Sequence, residues 1–109
     1  MFYRLISPDG TQSFDLKLHA PLIVGRAPTC DLSVSDPTIS RRHAELVVDD
    51  DQVTLRDLGS SNGTFVLPQG QRLAARRETL VAPGQQVRLG RDSVFRLDAA
   101  EDTGTFIRR

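Results

Sequence analysis

Apolar and polar residues alternate in several short segments of the chain. The alternating apolar positions are Phe14, Leu16 and Leu18; Ala44, Leu46 and Val48; Val53 and Leu55; Val87 and Leu89; and Phe95 and Leu97. A period of two places such side chains on one face of a β-strand and the intervening residues on the other face. The pattern therefore predicts a set of short strands, each with one face toward a core.

Turn-forming residues separate these segments at short intervals. They include Pro8-Asp9-Gly10, Asp36-Pro37, Asn62-Gly63, Pro83-Gly84 and Gly90-Arg91-Asp92. The pieces between the turns have the length of strands and are too short for most helices. Leu73 and Leu80 have helical spacing, but Pro83 and Gly84 follow closely, so we expect a strand and a turn there, with one helical turn as the alternative. Many short strands predict an all-β fold, an antiparallel sandwich or barrel.

The composition is that of one globular domain. The chain has 109 residues, of which 39% are hydrophobic and 26% are charged, and its 14 basic residues balance 14 acidic ones. A net charge of zero disfavours general nucleic-acid or membrane binders, which carry a basic excess. It also disfavours a nucleic-acid site at Arg41, Arg42, Arg76 and Arg77, as does the low aromatic content of 6%. We expect neither nucleic acid nor membrane as a partner.

The cysteine content indicates a reducing compartment. Cys30 is the single cysteine, so an intrachain disulfide is excluded. The first residues lack an apolar core of signal-peptide length, and no segment has the length of a membrane span. The predicted location is the cytoplasm.

The chemistry-bearing residues do not form a recognisable catalytic set. His19, His43 and Cys30 lack the spacing of metal ligands, and no glycine-rich loop leads into a helix. The acidic run 49–51 suits a solvated turn between two strands, with a divalent-cation site as a minor alternative. We therefore expect no enzyme activity, no catalytic residue, no cofactor and no metal.

Three loops contain residues suited to binding an anion. They are Val24-Gly25-Arg26, the segment 38–43 with Ser40 and two arginines, and the segment 57–65 with Ser61 and Asn62. Arginine, hydroxyl and backbone N–H groups all donate hydrogen bonds to phosphate or carboxylate oxygens. Each loop taken alone also has an ordinary structural explanation, such as a surface arginine or an Asn-Gly turn.

The three motifs together are far more specific. Gly25-Arg26, then Ser40-x-x-His43, then Ser61-Asn62-Gly63-Thr64, in this order on an all-β chain, resemble the forkhead-associated (FHA) domain, and the likeness runs from about Tyr3 to Leu97. The resemblance implies an antiparallel β-sandwich of about eleven short strands that binds phosphothreonine peptides through loops at one end. Loops of a simple meander would alternate between the two ends, so the convergence of these loops is implied by the resemblance alone.

The resemblance also implies a role for each matching residue. Arg26 would be the main charge partner of the phosphate, and the Ser40 hydroxyl would donate a further hydrogen bond. Arg41 would add a phosphate or peptide contact, Ser61 would help to fix the phosphate and the threonine, and Asn62 would bind the peptide main chain. Four further residues, Gly25, His43, Gly63 and Thr64, would have architectural roles.

These inferences predict a phosphothreonine-dependent protein interaction module in Ser/Thr kinase signalling. Its partner would be a phosphothreonine-containing protein, a Ser/Thr kinase or a substrate of one; the alternative is a phosphate-independent interaction or scaffold module of the same fold. The predicted domain is 1–98, and the polar segment 99–109 would be a tail or the start of a linker. Thr103 and Thr105 follow acidic residues and are candidate phosphoacceptors that would occupy the pocket of the same or a neighbouring chain.

Overall fold

The computed structural model describes residues 2–49, 52–100 and 106–107. Within these residues the chain forms eleven strands, and no helix is long and apolar enough to cross a membrane. The strands are β1 (Phe2–Ile6), β2 (Ser13–Leu16), β3 (Leu22–Gly25), β4 (Leu32–Ser33), β5 (Ala44–Asp49), β6 (Gln52–Asp57), β7 (Thr64–Leu67), β8 (Thr79–Val81), β9 (Gln86–Leu89), β10 (Ser93–Ala100) and β11 (Phe106–Ile107). The segment before β8 contains turns and irregular backbone, in agreement with the expected strand and turn.

The strands form two sheets, which confirms the predicted all-β sandwich. One sheet has the order β2-β1-β10-β9-β7, with β11 also paired to β10, and the other has the order β4-β3-β5-β6-β8. Every strand pair is antiparallel except β3 and β4, which run parallel with Gly25 opposite Ser33. The predicted antiparallel sandwich thus contains one short parallel pair.

The core lies between the sheets, where the alternating apolar side chains are buried. The fully buried members include Ala44, Leu46, Val48, Val53, Leu55, Val87, Leu89, Phe95 and Leu97. Leu18 departs from the pattern, because β2 ends at Leu16 and Leu18 is 38% exposed beside an isolated bridge to Val48. Alternation predicts which face of the sheet a side chain lies on only while the backbone remains an extended strand.

The parallel strand β4 brings two loops to the same end of the sandwich. After Gly25 the chain turns back through 26–31 and then runs up beside β3, so that 34–43 also emerges at the end where β3 finishes. The hairpin partner β6 ends there as well, with Asp57 opposite Ala44, and so does β9, with Leu89 opposite Thr64. Four connections, 26–31, 34–43, 58–63 and 90–92, therefore share one end.

The C-terminal strand extends past the predicted domain boundary. Ala99 and Ala100 are buried in β10 and pair with Tyr3 and Phe2 of β1, so the boundary after residue 98 falls inside a strand. Two alanines in a polar segment have little strand signal of their own, and burial of the pair depends on the partner strand. The nature of the remaining segment stays a prediction, and Thr103 and Thr105 lie outside the described residues.

A buried carboxylate organises the turn after β6. Asp57 is 2% exposed and accepts hydrogen bonds from the backbone N–H groups of Gly59 and Ser60 (2.9 and 3.0 Å) and from the hydroxyls of Ser60 and Thr64. Burial alone would raise the pKa of Asp57, but these donors outweigh it and hold the pKa below the ordinary value of 3.8. The ionised carboxylate therefore stabilises the fold.

We expect Asp57→Asn to lower the free energy of unfolding at pH 7 by about 1–3 kcal/mol, because one acceptor oxygen becomes an NH₂ group facing donors. A carboxylate whose pKa is lowered by folding stabilises the folded state at pH values above its pKa in the unfolded chain. This contribution is lost as the pH falls through its pKa in the folded protein. Urea unfolding from pH 7 down to pH 3 should show this loss in the wild type and a weaker one in the variant. Asp92→Asn, at an exposed site, is the matched control, and equal effects of both variants would contradict the assignment.

Candidate functional site

The first two loops are joined by their main chains. The N–H of Arg26 donates to the Ser40 carbonyl (3.0 Å), and the N–H of Ala27 donates to the Arg41 carbonyl (3.2 Å). A Cβ at Gly25 would lie 2.2 Å from the Arg41 carbonyl oxygen. Only glycine permits this close approach, which places Arg26 beside the loop that contains Ser40.

A buried histidine joins the second loop to the third. His43 is 0% exposed, its Nδ1 accepts the N–H of Ser40 (3.0 Å), and its Nε2 lies 2.8 Å from the Gly63 carbonyl. Because Nδ1 is the acceptor, Nε2 is the protonated nitrogen and donates. Both nitrogens of the ring thus bind backbone groups of the loops.

Two more hydrogen bonds complete the junction of the second and third loops. The N–H of Ser61 donates to the Ser40 hydroxyl oxygen (3.1 Å), and the Asn62 side-chain amide donates to the Thr38 carbonyl (2.8 Å). Together with the contacts of Arg26, these bonds bring Arg26, Ser40, Ser61 and Asn62 to one surface at the loop end of the sandwich. The convergence that only the resemblance implied is thus present in the structure.

The residues at this surface retain hydrogen-bonding capacity. Arg26 is exposed and uses its Nε to bond the Ile39 carbonyl (3.2 Å), which orients the guanidinium. The Ser40 oxygen accepts a bond, so its own O–H remains available as a donor. Asn62 similarly retains its side-chain oxygen, because the bond to Thr38 uses the NH₂ group. Such a set can hold an anion and an extended backbone beside it.

The charges at this end are distributed so that the basic groups face solvent. Arg26, Arg41 and Arg42 are exposed, whereas Asp57 is buried. Asp36 accepts the Ser93 hydroxyl (2.6 Å) and two bonds from Thr38; the Ser93 bond is the largest cause of a lowered pKa at Asp36. Asp31 and Asp92 of the four connections at this end are exposed as well, but they are outnumbered by the exposed arginines Arg26, Arg41, Arg42 and Arg91, and this excess favours an anionic ligand.

The remaining predicted site residues lie in or next to these loops. Arg41 is exposed, and its carbonyl accepts bonds from Ala27 and from the Cys30 thiol (3.1 Å). Gly63 has a φ of 90°, which favours glycine, and Thr64 is buried against Asp57. The ligand-binding and architectural roles assigned to individual residues stay predictions.

Several residues of this region have no assigned role in the sequence prediction. Asp57 and Ser60 shape the third loop, Thr38 accepts from Asn62, and Arg72 donates to the carbonyls of Ser60 and Ser61 (3.0 and 3.4 Å). The spacing Asp57-x-Gly59-Ser60 is a signal for an Asx-type turn, because aspartate bonds backbone N–H groups two residues ahead. Arg72 has no comparable local signal, since its partners lie eleven and twelve residues away.

The chain is similar in sequence to curated bacterial proteins. Over 78 residues the chain is 31% identical to the oxoglutarate dehydrogenase inhibitor of Corynebacterium jeikeium (strain K411), covering 72% of this chain and 51% of the inhibitor. Over 73 residues it is 37% identical to the glycogen accumulation regulator GarA of Mycobacterium tuberculosis (strain H37Rv), covering 67% of this chain and 40% of GarA. The chain thus spans about half or less of the length of these curated relatives.

The fold and a family model agree with this similarity. An FHA domain solved in a structural and functional analysis of phosphothreonine-dependent FHA domain interactions matches with a TM-score of 0.76 and 30% identity, over 89% of this chain and 95% of the solved one. The model of the FHA domain matches residues 22–90, which extend from β3 through β9 and contain all three loops. The chain belongs to the FHA domain family.

Proposed function

We propose that this FHA domain is a phosphothreonine-dependent protein interaction module in Ser/Thr kinase signalling. The observation that carries the proposal is the convergence of Arg26, the Ser40 hydroxyl and Ser61 at one surface, with the Ser61 N–H bonded to the Ser40 hydroxyl oxygen. Arg26 would pair with the phosphate, and the Ser40 hydroxyl would donate to it. Ser61 would help to fix the phosphate and the threonine, and Arg41 would add a phosphate or peptide contact. Asn62 would bind the peptide main chain next to the phosphothreonine.

The chemistry of a phosphate matches these groups. A phosphorylated threonine has a charge of about −1.5 to −2 at pH 7 and three strong acceptor oxygens. Each hydrogen bond to a charged group contributes about 1.5–3 kcal/mol. Few well-placed donors are therefore enough for one phosphate, and a net charge of zero for the whole chain is compatible with such a site.

The relatives support a regulatory role. The matched proteins are named an inhibitor and a regulator, and the matched solved domain comes from work on phosphothreonine-dependent interactions. The partner of this chain would be a phosphothreonine-containing protein, either a Ser/Thr kinase or a substrate of one. We propose that the chain binds and does not catalyse, and that it acts in the cytoplasm, where its one cysteine, Cys30, would remain reduced. Phosphorylated Thr103 or Thr105 stays a proposed ligand within the same protein.

We expect a phosphothreonine peptide to bind while its unphosphorylated twin does not, because most of the proposed contacts go to the phosphate. A randomised phosphothreonine peptide library gives the peptide, and isothermal calorimetry compares it with the unphosphorylated form. Equal affinities would contradict the proposal and favour the phosphate-independent interaction module.

We expect Arg26→Ala and Ser40→Ala each to weaken binding of that peptide by about tenfold or more, the effect of one lost charge-assisted hydrogen bond. Fluorescence anisotropy measures the affinities, and circular dichroism verifies that the variants are folded. Arg77→Ala, which removes an exposed arginine that lies outside the three loops in the sequence, should bind as the wild type does. Normal binding by Arg26→Ala would show that the pocket is assigned to the wrong residues.

We expect binding to weaken as the pH falls below about 6, because the phosphate then takes up its second proton and loses charge. Anisotropy titrations between pH 5 and pH 8 test this, with thermal unfolding at each pH as the control for folding. A constant affinity across this range would indicate a ligand other than a phosphomonoester.

A further inference from the structure

Arg72 lies against the third loop, although it is distant from that loop in sequence. One terminal nitrogen of its guanidinium is 3.0 Å from the Ser60 carbonyl oxygen and 3.4 Å from the Ser61 carbonyl oxygen. The backbone around it is placed by a bridge to Phe65 and by the N–H of Leu73, which donates to the Thr64 carbonyl (2.8 Å). The position of Arg72 is therefore set by β7, the strand that follows the loop.

Gly63 makes room for this side chain. A Cβ at Gly63 would lie 2.8 Å from Nε of Arg72 and 3.1 and 3.2 Å from its Cδ and Cγ. The stem of the arginine thus packs across the glycine, and the guanidinium reaches the two carbonyls beyond it. Position 63 therefore favours glycine for two physical reasons: its φ of 90° and the space that the Arg72 side chain occupies.

The bond to Ser60 acts on the peptide group that holds the Ser40 hydroxyl. In a trans peptide the C=O and the following N–H point in opposite directions. The C=O of Ser60 accepts from Arg72, and the N–H of Ser61 donates to the Ser40 hydroxyl oxygen at 3.1 Å. Arg72 and Ser40 therefore hold opposite sides of one peptide plane. A cation on the carbonyl also polarises the N–H and makes it a stronger donor.

We propose that Arg72 is a positioning residue for phosphopeptide recognition: by holding the Ser60 carbonyl from behind, it keeps the Ser61 N–H on the Ser40 hydroxyl oxygen and so directs the Ser40 O–H toward the phosphate. This inference rests on the proposed function. Arg72 acts through the loop backbone and does not itself touch the ligand. One terminal nitrogen of its guanidinium reaches both carbonyls, and the side chain is held by packing on Gly63; a lysine ammonium on a flexible stem reproduces this placement only in part.

The experiment compares Arg72→Ala and Arg72→Lys with the wild type, using the phosphothreonine peptide selected from the randomised library. Arg77→Ala is the matched control, because it removes one exposed arginine of the same segment, whose backbone N–H donates to the Ala74 carbonyl (3.3 Å) within that segment. We expect Arg72→Ala to weaken binding by about tenfold. The affinity of Arg72→Lys should lie between those of Arg72→Ala and the wild type, and Arg77→Ala should bind about as tightly as the wild type. Because Arg72 is exposed, thermal unfolding should change little.

A second readout follows the peptide plane without ligand. Amide hydrogen exchange measured by NMR should be faster at Ser61 in Arg72→Ala than in the wild type and in Arg77→Ala, and Arg72→Lys should be intermediate. A change in binding together with this change at Ser61 supports the positioning role.

Three results would overturn the inference while the proposed function stands. They are wild-type affinity in Arg72→Ala, equal losses in Arg72→Ala and Arg77→Ala, and a loss of affinity with unchanged exchange at Ser61. Wild-type affinity in Arg72→Ala would show that Arg72 has no role in binding. Equal losses in both variants would show a general effect of removing positive charge. A loss of affinity with unchanged exchange at Ser61 would indicate that Arg72 contacts the ligand directly. Failure of the wild type to bind the phosphopeptide would instead overturn the proposed function together with the inference that rests on it.

Discussion

The geometry of the loop end depends on one buried imidazole. His43 accepts the N–H of Ser40 with Nδ1 and donates to the carbonyl of Gly63 with Nε2, so the ring has an acceptor on one side and a donor on the other. Both partners are backbone groups of different loops, and the ring is 0% exposed. A side chain with two donors or two acceptors would leave one buried backbone group unpaired, at a cost of about 1–3 kcal/mol. The imidazole therefore fixes the distance between the Ser40 N–H and the Gly63 carbonyl of the two loops.

Around His43 the polar groups divide into those that shape the loops and those that face solvent. Asp57 and Asp36 use their carboxylates on hydroxyls and N–H groups of the protein, which stabilises the loops and withdraws negative charge from the surface. Arg26 is exposed with its Nε fixed by the Ile39 carbonyl. A chain with no net charge thus exposes more arginines than aspartates in the loops at this end, Arg26, Arg41, Arg42 and Arg91 against Asp31 and Asp92. In the same scheme, Arg72 would orient a donor from behind the surface.

The strands could be predicted because their signal is local. Alternation at Val53 and Leu55, or at Phe95 and Leu97, identifies the buried face of a strand, and these residues are in the core. Alternation does not predict burial where pairing with another strand decides whether a residue is buried. Leu18 continues the alternation but is exposed once β2 has ended, and Ala99 and Ala100 lack a strand pattern but are buried by pairing with β1. Of the site, the motif residues Arg26 and Ser61 are identifiable from sequence, whereas Arg72 is not.

The sequence by itself determined the all-β class and the three motifs that match the FHA family, because each is encoded by neighbouring residues. Only the tertiary structure decided that the motifs meet. The short parallel strand β4 returns the chain to the end of β3, Gly25 admits the Arg41 carbonyl, and the Ser40 hydroxyl receives the Ser61 N–H from 21 residues away. The physical reason is that these contacts join groups remote in sequence, and their distances follow from strand pairing and burial, which no local pattern of residues records.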